Sequence, residues 1–339
     1  MLNGSVSPHI RSGESTATVM RNVAIALIPP LAVGVFVFGL RALVLILVSA
    51  AACMLTEYVY EKLMKLPVTV ADGSALVTGL ILAMNLPATV PVWVPVMGGV
   101  FAIVFVKLLF GGLGQNMMNP ALAARCFLII SFPALMGGAM PAVGNLLGGD
   151  VWGGFLQRMS TWSLDATASA TPLALLREGQ TLDLWQAFFG FHSGCIGETS
   201  TLAILVGAAY LLARRVISPR IPAVYVGSTL VFVTLFRLAQ GGGLPDGNYL
   251  LGQLVSGGLM AGAVYMATDY VTSPITAGGQ WLYALLLGLL TALFRVFGSS
   301  PEGVSYAIII GNTLVPLMER VTLPRPFGTK RAAKGGSRS

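Results

Sequence analysis

The chain has 339 residues, 55% of them hydrophobic and 10% charged, with a mean hydropathy of +0.80 and a net charge of +7. A soluble domain carries about a quarter of its residues as charges, so lipid rather than water solvates most of this surface. The excess of cations does not point to nucleic acid, because most of them sit in short loops beside apolar runs, where they set topology.

A polar, mildly basic segment, 1–21, comes first. A cleaved leader is one reading of the apolar run that follows, but a second run starts directly after Gly39-Leu40-Arg41, which favours a helical hairpin. A hydrocarbon layer of about 30 Å takes about 20 apolar residues to cross. Such runs recur at 22–40, 42–58, 73–89, 92–110, 119–135, 199–213, 221–239, 250–268, 281–297 and 303–320. The expected fold is therefore an all-α polytopic membrane protein of about ten transmembrane helices. Five spans fall in 22–135 and five in 199–320, separated by one long hydrophilic connection, 136–198, and followed by a basic tail, 321–339.

Arg11, Arg21, Lys62, Lys65, Arg214, Arg215, Arg220, Arg320 and the cations of the tail fall on one side of this scheme. Arg41, Arg158, Arg177, Arg237 and Arg295 fall on the other. That bias places both termini inside and the 136–198 loop outside. The halves also echo each other: Phe110-Gly111-Gly112 closes the fourth span and Phe297-Gly298-Ser299 the ninth, while Leu76-Val77-Thr78-Gly79 matches Leu259-Met260-Ala261-Gly262. Five spans per half is an odd number, so a 5+5 repeat must be inverted; with 41 Gly and 19 Pro, broken helices are expected in it. Chance similarity among Gly-rich apolar helices is the competing account.

Four stretches carry chemistry. In the outside loop, Asp165-Ala166-Thr167-Ala168-Ser169-Ala170-Thr171-Pro172-Leu173 is small and polar; composition alone reads it as a Ser/Thr/Ala loop with a helix cap. The run from Phe110 to Leu122 holds Asn116 and Asn119, three apart and so on one face if helical, before Pro120, with Arg125 further on. It reads either as an Asn cap before proline or as a helix break lining a cavity. Ser193-Gly194-Cys195-Ile196-Gly197-Glu198-Thr199-Ser200 lies at the mouth of the sixth span, where Glu198 suits a helix N-terminus. Asp269, in Ala267-Thr268-Asp269-Tyr270-Val271-Thr272-Ser273-Pro274, and Asp72 lie at inner span ends. Carboxylates near membrane depth are candidates for ion handling, and Glu198, Asp269 and Asp72 are the ones singled out here. Cys53, Cys126 and Cys195 are scattered without metal-ligand spacing, so no metal centre is expected from this chain alone.

Taken in order, Gly111-Gly112-Leu113-Gly114-Gln115-Asn116 with Asn119-Pro120-Ala121, Ser169-Ala170-Thr171-Pro172-Leu173, Gly197-Glu198-Thr199-Ser200, and Thr268-Asp269 with Val271-Thr272-Ser273-Pro274 are jointly specific. Along essentially its whole length the chain resembles the RnfD family, a membrane component of the Rnf electron-transport complex, the membrane-bound ferredoxin–NAD oxidoreductase. More distantly it is similar to NqrB, a membrane component of sodium-pumping NADH–quinone reductase. Two positions depart from that pattern: Tyr270 replaces a usual Pro, and Ser169 a Gly common in the sister family.

The resemblance implies FMN joined through its phosphate to the Thr171 hydroxyl by a flavin transferase, which reads Asp165, Ser169 and Ala170 but modifies neither Thr167 nor Ser169. It implies a second, non-covalent flavin (riboflavin) near Asn116, Asn119 and Arg125. It further implies electron flow between ferredoxin and NAD coupled to sodium or proton movement in the cell inner membrane, with the FMN loop periplasmic. The implied partners are a second covalent-flavin subunit, iron–sulfur subunits and small membrane subunits of the same complex. No Gly-rich dinucleotide fingerprint follows a strand, so NAD binds elsewhere. A small-solute or ion transporter without a redox cofactor is the alternative that fold alone would allow.

Overall fold

The computed structural model describes residues 15–137, 159, 171–241, 243–298 and 303–323. Their regular elements are all helices, apart from a single isolated antiparallel bridge between Pro87 and Cys195. In chain order the helices are α1 (Thr16–Phe38), α2 (Leu40–Leu63), a 3₁₀ turn (Val70–Asp72), α3 (Ser74–Met84), α4 (Trp93–Leu108), α5 (Pro120–Ser131) and α6 (Pro133–Met136). After the long connection come α7 (Pro172–Arg177), α8 (Leu184–Phe189), α9 (Thr201–Ala213), α10 (Arg220–Ala239), α11 (Gly247–Val255), α12 (Leu259–Met266), α13 (Ala277–Phe297) and α14 (Val304–Thr322).

Four helices, α1, α2, α10 and α13, are long and apolar enough to cross a membrane, and α11 with α12 forms a fifth candidate bent by 54°. Leu47, Leu55, Phe105 and Val231 point outward from the bundle, the distribution expected where lipid is the solvent. The hairpin after Gly39 forms as the sequence suggests. However, α1 begins at Thr16 rather than 22, because Ser15 accepts from the Thr18 amide and caps the helix there.

The third span differs from expectation more deeply. Its apolar run is read through residue 89, yet α3 stops at Met84 and residues 85–92 are not helical. Pro87 and Pro91 supply no amide hydrogen and steer Leu86 and Val90 away from helical backbone. Non-helical backbone at such depth persists only where protein satisfies it, and Arg41 does so. Its Nε donates to the Ala88 carbonyl at 2.7 Å, and Nη2 donates to those of Thr89 (2.9 Å) and Val90 (3.0 Å). The fifth span breaks at Phe132 before Pro133 for the same steric reason. The eighth breaks at Ser256–Gly258, where Arg295 Nη1 donates to Gln253 O at 2.5 Å, and Nη2 to Ser256 O at 2.9 Å and Gly257 O at 3.2 Å. Arg41 and Arg295 are thus buried backbone clamps and not the loop charges that a topology reading makes of them.

Small residues let the helices close up. A Cβ on Gly79 of α3 would lie 2.7 Å from the Ala50 Cα of α2, and Ser49 of α2 donates to the Gly79 carbonyl at 2.8 Å. Close backbone approach of this kind is how apolar helices associate when no water is there to drive them together.

Candidate functional site

Two of the breaks meet. The Ile196 amide donates to the Leu86 carbonyl and the Gly197 amide to that of Met84, both at 3.0 Å, so the mouth of α9 lies against the end of α3. A Cβ at Gly197 would lie 2.0 Å from Met84 Cγ, so the position has room only for glycine. This pairing buries Glu198 beside Arg125 of α5. Arg125 Nη1 donates to Glu198 Oε1 and to Asn85 Oδ1, each at 2.6 Å, and Nη2 faces Cys195 Sγ at 3.6 Å. The third break adjoins as well: a Cβ on Gly258, at φ +66, would lie 2.6 Å from Glu198 Oε1.

Thr171 enters this arrangement from the long connection. It occupies the N-cap position of α7 in extended backbone (φ −70, ψ 153), and its side chain makes no cap hydrogen bond. Leu173 and Leu176 of α7 are buried, Leu173 against Gly257 and Leu176 against Gly252. A small pocket of about 270 Å³ results, lined by Thr171, His192, Ser193, Cys195, Glu198 and Gly257 among others. The His192 ring bridges the carbonyls of Ser193 and Thr199 at 3.0 Å each. Burial pushes its pKa below the ordinary imidazole value, with the two carbonyls pulling the other way. Asp165, Thr167, Ser169 and Ala170 lie outside the described residues.

A larger cavity of about 810 Å³ lies between α1, α3, α5 and the segment after α12. Its polar lining comprises Asn116, Asn119, Asp269, Thr268, Lys107 and Ser74, set among Val77, Ile81, Val264 and Tyr265. Asn119 plays both roles read from the sequence: its Oδ1 accepts from the Ala121 and Leu122 amides at 3.1 and 3.4 Å, capping α5, and it also faces the cavity. With its side-chain amide turned over, Asn312 of α14 accepts from the Asn119 backbone amide, N···O 3.2 Å. Asn116 donates to Met118 O at 3.1 Å. Arg125 does not join the asparagines; it belongs to the Glu198 pair. Asp269 is half-buried and accepts from Thr272 Oγ1 at 3.1 Å and the Val271 amide at 3.5 Å. Burial raises its carboxyl above the usual range, against those two hydrogen bonds. Tyr270 fastens the same loop by donating to the Val216 carbonyl.

Asp72 accepts from the Ser74 amide at 2.7 Å and Ser74 Oγ at 2.5 Å. Ser74 leads to a group that the sequence motifs do not single out, Lys107 paired with Glu57 at 2.7 Å, both buried. Glu57 and Glu61, four apart at the end of an apolar run, are the available signal. The three cysteines are buried thiols, and no group of three or more His, Cys, Asp or Glu among the described residues could hold a metal.

The family described as NQR2, RnfD, RnfE matches residues 3–328. The chain is 45% identical to the D subunit of the Na(+)-translocating ferredoxin:NAD(+) oxidoreductase complex of Acetobacterium woodii, over 98% of this chain and 97% of that one. It is 38% identical to the D subunit of the proton-translocating ferredoxin:NAD(+) oxidoreductase complex of Clostridium ljungdahlii, over 96% of each chain. It is also 36% identical to the D subunit of the ion-translocating oxidoreductase complex of Actinobacillus succinogenes, over 95% of this chain and 96% of that one.

Proposed function

Because this chain belongs to the NQR2, RnfD, RnfE family, we propose that it is the membrane subunit of an ion-translocating complex that passes electrons between ferredoxin and NAD. The observation that carries its part in that flow is Thr171, whose hydroxyl takes no part in the cap and which stands beside a pocket fixed by the Arg125–Glu198 pair. A phosphoester there leaves the flavin ring available for redox work and tethers it at high effective concentration. The chain's own residues supply position: α7 is anchored through Leu173 and Leu176, and Glu198 is held by Arg125 and Gly258. The residues of the larger cavity fit a second, non-covalent flavin. They offer a mostly apolar slot with Asn116 and Asn119 at one wall, which is how such ligands are oriented; Lys107 stands there in place of Arg125.

We count as ten spans the four long helices, the bent pair, the shorter apolar helices α3, α4, α5 and α9, and α14. We read them as a 5+5 inverted repeat in the inner membrane, with both termini cytoplasmic and α7 periplasmic. Partners are the second covalent-flavin subunit, the iron–sulfur subunits and the small membrane subunits, with a flavin transferase acting during maturation.

Thr171→Ala abolishes in-gel flavin fluorescence of the denatured chain while the protein still inserts and assembles; Ser169→Ala and Thr167→Ala leave fluorescence in place. Fluorescence that persists without Thr171 overturns the assignment, and a wild-type chain with no flavin after denaturation favours a transporter. Sidedness is tested separately. Cysteine at Glu178, which is exposed, reacts with an impermeant thiol reagent added from outside, and cysteine at exposed Ser218 does not. The reverse pattern moves the flavin to the cytoplasmic face.

A further inference from the structure

At the far end of α2 the side chains form an unbroken series. Glu61 Oε1 lies 2.5 Å from Thr69 Oγ1, which lies 3.0 Å from Glu57 Oε1. Lys107 Nζ reaches that same Glu57 oxygen at 2.7 Å and Ser74 Oγ at 2.6 Å, and Ser74 Oγ reaches Asp72 Oδ1 at 2.5 Å. Glu57, Glu61, Lys107 and Ser74 are buried, whereas Thr69 is exposed at one end. At the other end Asp72 lines an open groove with Arg21, and Lys107 and Ser74 line the large cavity.

Two features of this series call for a proton. Thr69 has one hydroxyl hydrogen, yet its oxygen stands within hydrogen-bond distance of two carboxylate oxygens, so both contacts are full two-centre hydrogen bonds only with a hydrogen from a carboxyl group. Two carboxylates facing one ammonium also leave a net negative charge when all are ionised, and a buried unbalanced charge is costly. Glu57 Oε2 is buried without a partner, a further acceptor not matched by a donor. A metal cation is a poorer answer, since it needs several oxygens around an opening. Here the Glu61, Thr69 and Glu57 oxygens are already in contact with one another.

We propose that Glu57 and Glu61 share one exchangeable proton through Thr69, and that this site heads a proton relay running by Lys107 and Ser74 to Asp72. Glu61 passes its hydrogen to Thr69 Oγ1 as the threonine hydrogen moves to Glu57. Lys107 passes a hydrogen to Ser74 Oγ as the serine hydrogen moves to Asp72, and Glu57 then reprotonates Lys107. Each step makes one O–H or N–H bond and breaks another, and one proton enters at Glu61 for each that leaves at Asp72. The titratable groups facing the pair are Lys107 from α4, Asp72 through Ser74, and Cys53 one turn earlier on α2, with Arg21 of α1 lining the same groove as Asp72. The relay deepens the proposed ion coupling, but its protonation is read without turnover, so it stands or falls separately from the flavin.

Infrared spectroscopy of the purified complex in H₂O and D₂O at neutral pH tests it. A carboxylic-acid C=O band that shifts in D₂O is expected in the wild type. It is lost in Glu61→Gln, retained in Asp269→Asn, and unchanged when potassium in the buffer is replaced by sodium. Thr69→Val keeps both carboxyls and removes the bridging hydroxyl, so the band shifts even if Glu61→Gln fails to assemble. Absence of a band, a band indifferent to Thr69→Val, or a band that sodium removes at constant pH overturns the proposal, the last in favour of a cation site.

Discussion

The Thr171 pocket and the Asn119 cavity are both built on broken helices, yet they handle the exposed backbone in opposite ways. Around Thr171 the space is small, about 270 Å³, and guanidinium groups close the surrounding breaks: Arg41 at 88–90, Arg295 at 253–257, and Arg125 beside Asn85 and Glu198. A planar fork of fixed donors suits carbonyls that point in several directions. The cavity, about 810 Å³, is bounded instead by the Asn119 cap, an Asp-capped loop and the buried Lys107 series. One region is fixed, as the tethered group proposed for Thr171 requires; the other is open and carries the buried Lys107–Glu57 pair to which we assign proton exchange.

The largest effect follows from that contrast. Arg125→Leu leaves Glu198 buried and unpaired, which costs about 3–5 kcal/mol. It should appear as a sharp fall in assembled protein and in the unfolding midpoint in detergent. Adding Glu198→Leu removes the stranded charge and restores much of the loss, because a buried pair is often replaceable by apolar groups of similar volume. If the single variant proves as mild as the double, the pocket is not held by this pair and the comparison collapses.

A middle-sized effect separates backbone conformation from packing. Gly258 and Gly243 have nearly the same φ, +66 and +69, but a Cβ on Gly258 meets Glu198 Oε1 at 2.6 Å whereas nothing lies within 4 Å of one on Gly243. Alanine in left-handed backbone costs about 1–2 kcal/mol. Gly243→Ala should show that term alone, and Gly258→Ala should be the more destabilised of the two in thermal unfolding. Equal losses would mean that Glu198 yields freely and the break is loosely packed.

What the sequence could and could not reveal follows from the range of each interaction. The hairpin at Gly39, the Asn119 cap and the placement of Thr171 before a helix-starting proline are written in neighbouring residues and are legible, whereas the break at 256–258 falls inside a run, 250–268, that reads as one span. The break at 85–92 carries local marks in Asn85, in the turn signal Leu86-Pro87 and in Pro91, but the apolar residues around them read as a span reaching 89. Arg41 and Arg295 look like loop charges because their partners are backbone carbonyls about 40 to 50 residues away, as a buried guanidinium allows. Lys107 meets Glu57 across 50 positions and Arg125 meets Glu198 across 73, so nothing local marks either pair. Proximity in sequence groups Arg125 with Asn119, but α5 turns its guanidinium toward α9 instead.

The smallest effect on stability is also the sharpest test of the cavity. Asn119 caps α5 through two amides, and loss of such a cap costs about 1 kcal/mol. Its side chain also faces the cavity, where an amide can serve a flavin carbonyl or ring nitrogen and leucine cannot. Asn119→Leu is therefore expected to shift unfolding only slightly, to keep the flavin proposed at Thr171 and to lose the proposed extractable one, slowing electron transfer through the assembled complex. Asn119→Asp is the control for the cap, since a carboxylate accepts from the same two amides. It should recover stability but, lacking a donor, not the flavin. Acid extraction and chromatography of the released flavin decide the matter. Unchanged extractable flavin per assembled complex in Asn119→Leu would reduce Asn119 to a cap and leave the cavity without its proposed guest.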